Sequence, residues 1–176
     1  MLDAIVECLV KRKLTVKAYA ARCAIICADV LAFIAMLAIL LFVPAFMALD
    51  LVIVVLAAVF TYLVFRNTDV EYEYSFFDGE LAIDKVMHKM TRKKLRRFNL
   101  TKMDCMAPVG SRHLGGGVNN HVKFDFSTQY EDDKHFIAIV HGDDNVVAEV
   151  MFTPNEELLE KIKQAYPRKV YLDIND

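Results

Sequence analysis

Hydrophobic residues follow three different rhythms along this chain. Near the start, Leu2, Ile5, Val6, Leu9 and Val10 recur at i, i+3, i+4, i+7 and i+8, with Asp3, Glu7 and Lys11 off the stripe. That spacing predicts a short amphipathic helix within residues 1–17, lying on an anionic membrane surface or packed on a soluble domain. Between Arg22 and Arg66, 43 residues then carry only two charges, Asp29 and Asp50. One helix of that length would measure about 65 Å, roughly twice a hydrocarbon core. Two spans near 22–42 and 47–65 fit better, with Pro44 in a tight turn over 43–46. A cleaved signal peptide fits poorly, because its apolar core is only about 7–15 residues.

After Arg66 the period drops to two. Val70, Tyr72, Tyr74 and Phe76 alternate with Glu71, Glu73 and Ser75, which predicts a half-buried strand with both glutamates on its solvent side. Asp78-Gly79 is a hairpin signal, and a second strand is expected from Glu80 to about His88. Further strands are predicted at 93–100, 102–108, 121–127, 135–141 and 146–152, with residues 141–145 turning between the last two. Thr153-Pro154-Asn155-Glu156 has the form of a capping box that opens a helix over 154–166. Leu158, Leu159, Ile162 and Ala165 form its apolar stripe, and residues 168–172 offer one last extended segment.

Charge orients the apolar region. Lys11, Arg12, Lys13, Lys17 and Arg22 precede the first span and Arg66 follows the second, while the turn between has no Lys or Arg. The positive-inside rule then predicts a multi-pass protein of the cell membrane with two spans and both termini cytoplasmic. Asp50 falls near the outer interface. Asp29 lies about two turns inside the first span, where a carboxylate is a functional candidate. Without a second acid it makes no relay, so a helix–helix contact or reach to the interface is the favoured reading.

Composition excludes several classes. Hydrophobic residues make up 56% of the 176-residue chain, which sets it apart from disordered and collagen-like chains. Residues 67–176 hold 15 basic and 19 acidic groups, a net of −4, which argues against a nucleic-acid partner. Cys8, Cys23, Cys27 and Cys105 have neither CxxC nor zinc-knuckle spacing and read as small buried hydrophobes.

Seven short strands closed by one amphipathic helix is the layout of a pleckstrin-homology-like (PH-like) barrel. The fold class expected is therefore an α+β membrane protein: a two-helix transmembrane hairpin over 18–66 and a seven-stranded antiparallel barrel over 67–176. The chain resembles an uncharacterised family of small clostridial-type bacterial membrane proteins with this arrangement. The residues that carry the resemblance are Glu7-Cys8-Leu9-Val10-Lys11-Arg12-Lys13, Glu71-Tyr72-Glu73-Tyr74, Asp78-Gly79-Glu80-Leu81 with Ile83-Asp84-Lys85, Met106-Ala107-Pro108, Pro154-Asn155-Glu156 and Pro167-Arg168-Lys169-Val170. The resemblance implies a fold and a location but no activity.

One charge cluster stands out. Lys85, Lys89, Arg92, Lys93, Lys94, Arg96 and Arg97, with His88 among them, fall within residues 85–97. They suit either contact with anionic lipid headgroups or the protection of a strand edge from pairing. The first hairpin, Phe76-Phe77-Asp78-Gly79-Glu80, has no Lys or Arg, which argues against specific inositol-phosphate recognition. The Gly-rich segment 110–117 lacks the GxxxxGK[ST] pattern. His135 and His141 are about 20 Å apart along one strand, too far to share a metal, and His113 and His121 would meet only through a loop. Ser111 with His113 is a chance pairing, and no HExxH or GxSxG is present.

The expectation is a membrane-anchored cytoplasmic interaction module, a scaffold or lipid-surface sensor, with no catalytic residues, cofactor or metal. Its expected partners are the membrane, anionic lipids, a protein, or a second copy of the chain. The alternative is an accessory subunit of a transport or envelope-enzyme complex, with Asp29, Ala32 and Ala35 against partner helices.

Overall fold

The computed structural model describes residues 5–42, 47–87, 89, 91–114, 121–142 and 146–174. The expected turn at 43–46, the glycines 115–117 and most of the 141–145 turn lie outside these residues, as does His88. The chain divides into two compact units, Leu14–Asp69, and Met1–Lys13 joined with Val70–Asp176.

The first unit is a pair of antiparallel helices, α1 (Val16–Phe42) and α2 (Met47–Thr68). At about 1.5 Å per residue they measure roughly 40 and 33 Å, long and apolar enough to cross a bilayer. Large apolar side chains such as Leu31, Phe33, Leu51 and Leu56 are exposed around them, as lipid-facing helices require.

The second unit contains every strand predicted and one more. β1 (Val6–Lys11) stands where the stripe predicted a helix. Val6 and Cys8 are buried while Ile5 and Leu9 are more than half exposed, so the operative period at this segment is two. Its partner β2 (Val70–Phe77) is distant in sequence and supplies the hydrogen bonds that local spacing could not reveal. With β3 (Glu80–Met87) and β4 (Thr91–Asn99) they form sheet A, a four-stranded antiparallel meander in the order β1-β2-β3-β4. The β2–β3 turn uses Asp78 at φ 48° and Gly79 at φ 77°. A Cβ on Gly79 would stand 2.7 Å from the Tyr166 hydroxyl, so this turn demands glycine twice over.

A short 3-10 turn, Leu100–Lys102, leads into sheet B: β5 (Met103–Pro108), β6 (His121–Asp125), β7 (Phe136–His141) and β8 (Val147–Phe152), in the order β5-β7-β8-β6. β6 runs parallel to β8, against the all-antiparallel expectation. The connection over 126–135 carries the chain away before β7 returns, which frees β6 from hairpin geometry. The seven-stranded closed barrel is thus corrected to eight strands in two four-stranded sheets. Among the described strands no ladder joins the two sheets.

The core lies between the sheets. Tyr74, Phe76, Leu81 and Ile83 of sheet A meet Met106, Phe136, Val150 and Phe152 of sheet B. The fully buried Tyr74 donates its hydroxyl to the Phe126 carbonyl at 2.6 Å, and its ring meets Phe152 edge-on at 5.6 Å. α3 (Glu156–Ala165) covers the core with Leu158 and Ile162, while Ala165 is exposed. Its cap is Asn155, whose side chain accepts from the Leu158 N–H at 2.9 Å. The expected capping box does not form, because the Thr153 hydroxyl is engaged by the Thr128 N–H and by His135. The extended tail is present as a parallel bridge between Val170 and Met106.

Candidate functional site

β4 is the edge strand of sheet A and carries five of the seven clustered basic residues. The alternation of a strand, with a register shift at Ile83/Asp84, divides them between two faces. Arg92, Lys94 and Arg97 lie on the face that also holds Glu73, Asp84 and Glu80. Arg92 is 3.1 Å from Glu73 and Arg97 is 3.6 Å from Glu80. Arg96 turns the other way and lies 5.0 Å over the Phe124 ring. Lys85 stands directly opposite Lys93, a like-charge pair that costs stability unless an anion or water separates them. Lys89 occupies the β3–β4 turn at φ 56°. Lys85, Lys89, Lys93 and Lys94 have no ion pair among the described residues.

Glu71 and Glu73 do share a strand face, but they are buried and not solvated. β2 is an interior strand, and the long Arg92 side chain reaches Glu73 from two strands away. Burial pushes the Glu73 carboxyl above its ordinary range, Arg92 pulls it back, and Glu7 and Asp84 push it further up. Asp125 behaves in the opposite sense. Burial acts to raise it, but hydrogen bonds from Gln129 and from the hydroxyl and N–H of Ser127 hold it below the usual value.

The position of β1 also corrects which connection is first in the sheet. β1 and β2 are joined through the whole helical pair, so the Asp78-Gly79 hairpin is the second connection and not the first. The basic residues of the first connection are Lys13, Lys17, Arg22 and Arg66, with Arg12 at its start. Arg12 is anchored by a hydrogen bond from Nη1 to the Tyr72 hydroxyl at 2.7 Å, and its backbone N–H reaches the Val70 carbonyl at 3.0 Å. In the register of sheet A, Lys11 pairs with Glu71, Val70 with Met87, and Met87 with Thr91. The end of the sheet where the chain departs after Lys13 and returns at Val70 is therefore the end that carries the basic β3–β4 turn.

Within the helical unit, Asp29 accepts a hydrogen bond from the Thr61 hydroxyl at 2.7 Å. A helix–helix contact is one of the two readings that the sequence leaves open for Asp29, beside reach to the interface. A groove of about 520 Å³ runs beside it, lined by the small residues Ala32, Ala57 and Ala58 among others. Ala35 does not line that groove.

The histidines are separately engaged. His135 pairs with Thr153 at 2.9 Å, His141 with Asp104 at 2.6 Å, and the His113 ring stacks on Tyr171 at 3.7 Å. Ser111 accepts from the His113 backbone N–H at 3.4 Å, which is no nucleophile–base geometry. One feature carried no local sequence signal. The seam between β4 and β6 is a groove of about 610 Å³, assembled from Glu80, residues 96–99, Lys102, Val122, Phe124, residues 140–142, Val146 and Ala148.

A family model described as a bacterial PH-like domain, DUF6106, matches residues 2–172, a stretch that includes both apolar helices. Comparison with curated proteins and with solved structures gives no match.

Proposed function

Because the chain belongs to this family of bacterial PH-like domains, we propose that it is a membrane-anchored interaction module, held at the cytoplasmic face by its helical pair and reading the anionic lipid surface with the β3–β4 turn. The observation that carries this reading is the shared end of sheet A. The chain leaves for the helices and returns from them at the end where Lys85, Lys89, Lys93 and Lys94 project. Strands are about 4.8 Å apart, so the turn lies within roughly 10 Å of Val70, on the order of one Debye length. Headgroup attraction of about 1 kcal/mol per basic residue acts over that distance.

Topology has independent support. β1 precedes the helices and β2 follows them, yet the two strands pair along their length. A hairpin that crosses the bilayer twice satisfies this and a single crossing does not. The positive flanks favour a cytoplasmic domain.

The test uses the full chain in nanodiscs. Backbone hydrogen exchange over residues 85–94 is expected to slow in discs containing anionic lipid relative to zwitterionic discs, and the difference is expected to vanish at high salt. Equal exchange in both discs removes the lipid role. The rival reading, an accessory subunit of a membrane complex, draws on the Asp29 groove and its small residues. Purification in mild detergent separates the two: a stoichiometric integral partner favours the rival, and a lone protein favours the module.

A further inference from the structure

Among the described strands β4, nine residues long, ends sheet A with an unpaired edge, and β6, five residues long, ends sheet B with another. Between them lies the groove of about 610 Å³, within the volume range of recognition sites. Residues 96–99, four in succession on β4, line it, so the groove runs along the strand's edge and not across its face. Its floor is apolar, with Phe98 and Phe124 in contact at 5.7 Å and Val140 beside them. Val122 on the rim is 45% exposed. Arg96, Arg97 and Lys102 supply positive charge, and Glu80 is the one acid among the described lining residues.

We propose that this groove binds an extended segment of a partner protein in which acidic and apolar residues alternate, added as a further strand along β4. A free edge offers backbone N–H and C=O groups to one more strand. An added strand points successive side chains to opposite sides, so one set packs on Phe124 and Val140 while the other meets Arg97 and Lys102. The same charges repel β4 of a second copy, which selects an acidic partner against self-pairing. The inference rests on the interaction-module reading and specifies the chemistry of its protein partner. It draws on Arg96 and Arg97 of the cluster together with Lys102 beyond it, and leaves the β3–β4 turn to the lipid surface.

The test places the full chain in zwitterionic nanodiscs, where headgroup attraction is absent. The probe is a fluorescent peptide of about seven residues alternating Glu and Val, a common strand length. Saturable binding that weakens as salt rises is expected. Val122→Glu and Arg97→Ser should each weaken it about tenfold or more, whereas Val122→Thr should retain it. A peptide N-methylated at alternate residues, with unchanged charge, should not bind. The proposal is overturned if the parent peptide fails to bind, if the methylated peptide binds equally, or if Val122→Glu changes nothing. It also falls if Val122→Glu and Arg97→Ser alter adsorption to anionic vesicles in place of peptide binding. A peptide that fails while residues 85–94 stay protected in anionic discs removes this inference alone.

Discussion

Thr61 of α2 donates its hydroxyl to Asp29 of α1 at 2.7 Å, and Arg22 donates from Nε to the Thr68 hydroxyl at the same distance. The two contacts lie two turns apart on both helices, so they fix a single antiparallel register. Thr68 also donates to the Val64 carbonyl at 2.8 Å, and the Arg22 guanidinium lies 4.9 Å over the Phe65 ring. Thr61→Val should loosen the pair by about 0.6 kcal/mol, near the mean for hydrogen bonds between membrane helices. Asp29→Ala should cost no more, since it removes both the carboxylate and its desolvation. A double-mutant cycle on the reconstituted chain, read by steric trapping of the helix ends, checks the coupling; purely additive losses would show that the contact carries no energy.

The position of β1 decides which piece of the chain folds alone. A fragment of residues 67–176 lacks the strand that covers one edge of β2 and loses the buried Val6 and Cys8. It should unfold without a cooperative transition. A chain in which residues 14–69 are replaced by a short Asn-Gly turn restores the β1–β2 pair, since Lys11 and Glu71 are already opposite each other. That spliced domain should unfold in one sigmoidal step in urea. A fragment as stable as the spliced domain would make β1 dispensable.

Adsorption to anionic vesicles should depend on Lys85, Lys89, Lys93 and Lys94. Changing all four to Ser should abolish it without loss of stability, because none is ion-paired among the described residues. Relief of the Lys85–Lys93 opposition should even raise the melting temperature slightly. Arg92 is best left in place. Its removal would leave the buried Glu73 carboxylate uncompensated, and a stability loss would obscure the lipid effect. Vesicle co-sedimentation and thermal unfolding, run on the same variants of the spliced domain, read the two effects separately.

Two carboxylates give opposite pH signatures. Asp125 is held below its ordinary value of 3.8, so its stabilisation is complete above that value and is lost as pH falls through the lower folded-state value. Asp125→Ala should destabilise the domain at neutral pH and flatten the acid limb. Glu73 is held above 4.5, so the domain binds that proton more readily folded than unfolded, and this contribution fades as pH rises through the raised value. Glu73→Gln should therefore stabilise the domain at neutral pH and remove the gain seen on mild acidification. Urea unfolding between about pH 3 and pH 8, the range spanned by carboxylate titration, decides both.

Most of sheet A and sheet B was legible because half-burial imprints a period of two. Val70, Tyr72, Tyr74 and Phe76 needed no further information. The first strand was hidden by an ambiguity in the pattern itself. Leu2, Ile5, Val6, Leu9 and Val10 satisfy helical spacing, while Val6, Cys8 and Val10 satisfy strand spacing, and only a partner more than 50 residues away resolves it. Glu71 and Glu73 misled for a related reason: alternation identifies a face, but an interior strand can bury both faces. The basic cluster was plain in composition. Its division into a turn group and a groove group depends on the register of β3 with β4 and on segments of sheet B remote in sequence.

The insertion of α1 and α2 between two paired strands also sets an order of events during synthesis. β1 leaves the ribosome before β2 and waits, unpaired, while the 56 residues of the helical unit are made. At bacterial elongation rates that interval is roughly 3–11 s, far longer than a hairpin takes to form. Only after Val70 emerges can β1 find its place at the edge of β2. On the membrane-anchored reading proposed above, completion of sheet A would report that both helices have been released from the insertion machinery. A chain whose hairpin stalls there exposes an unmatched strand and can be recognised as unfinished.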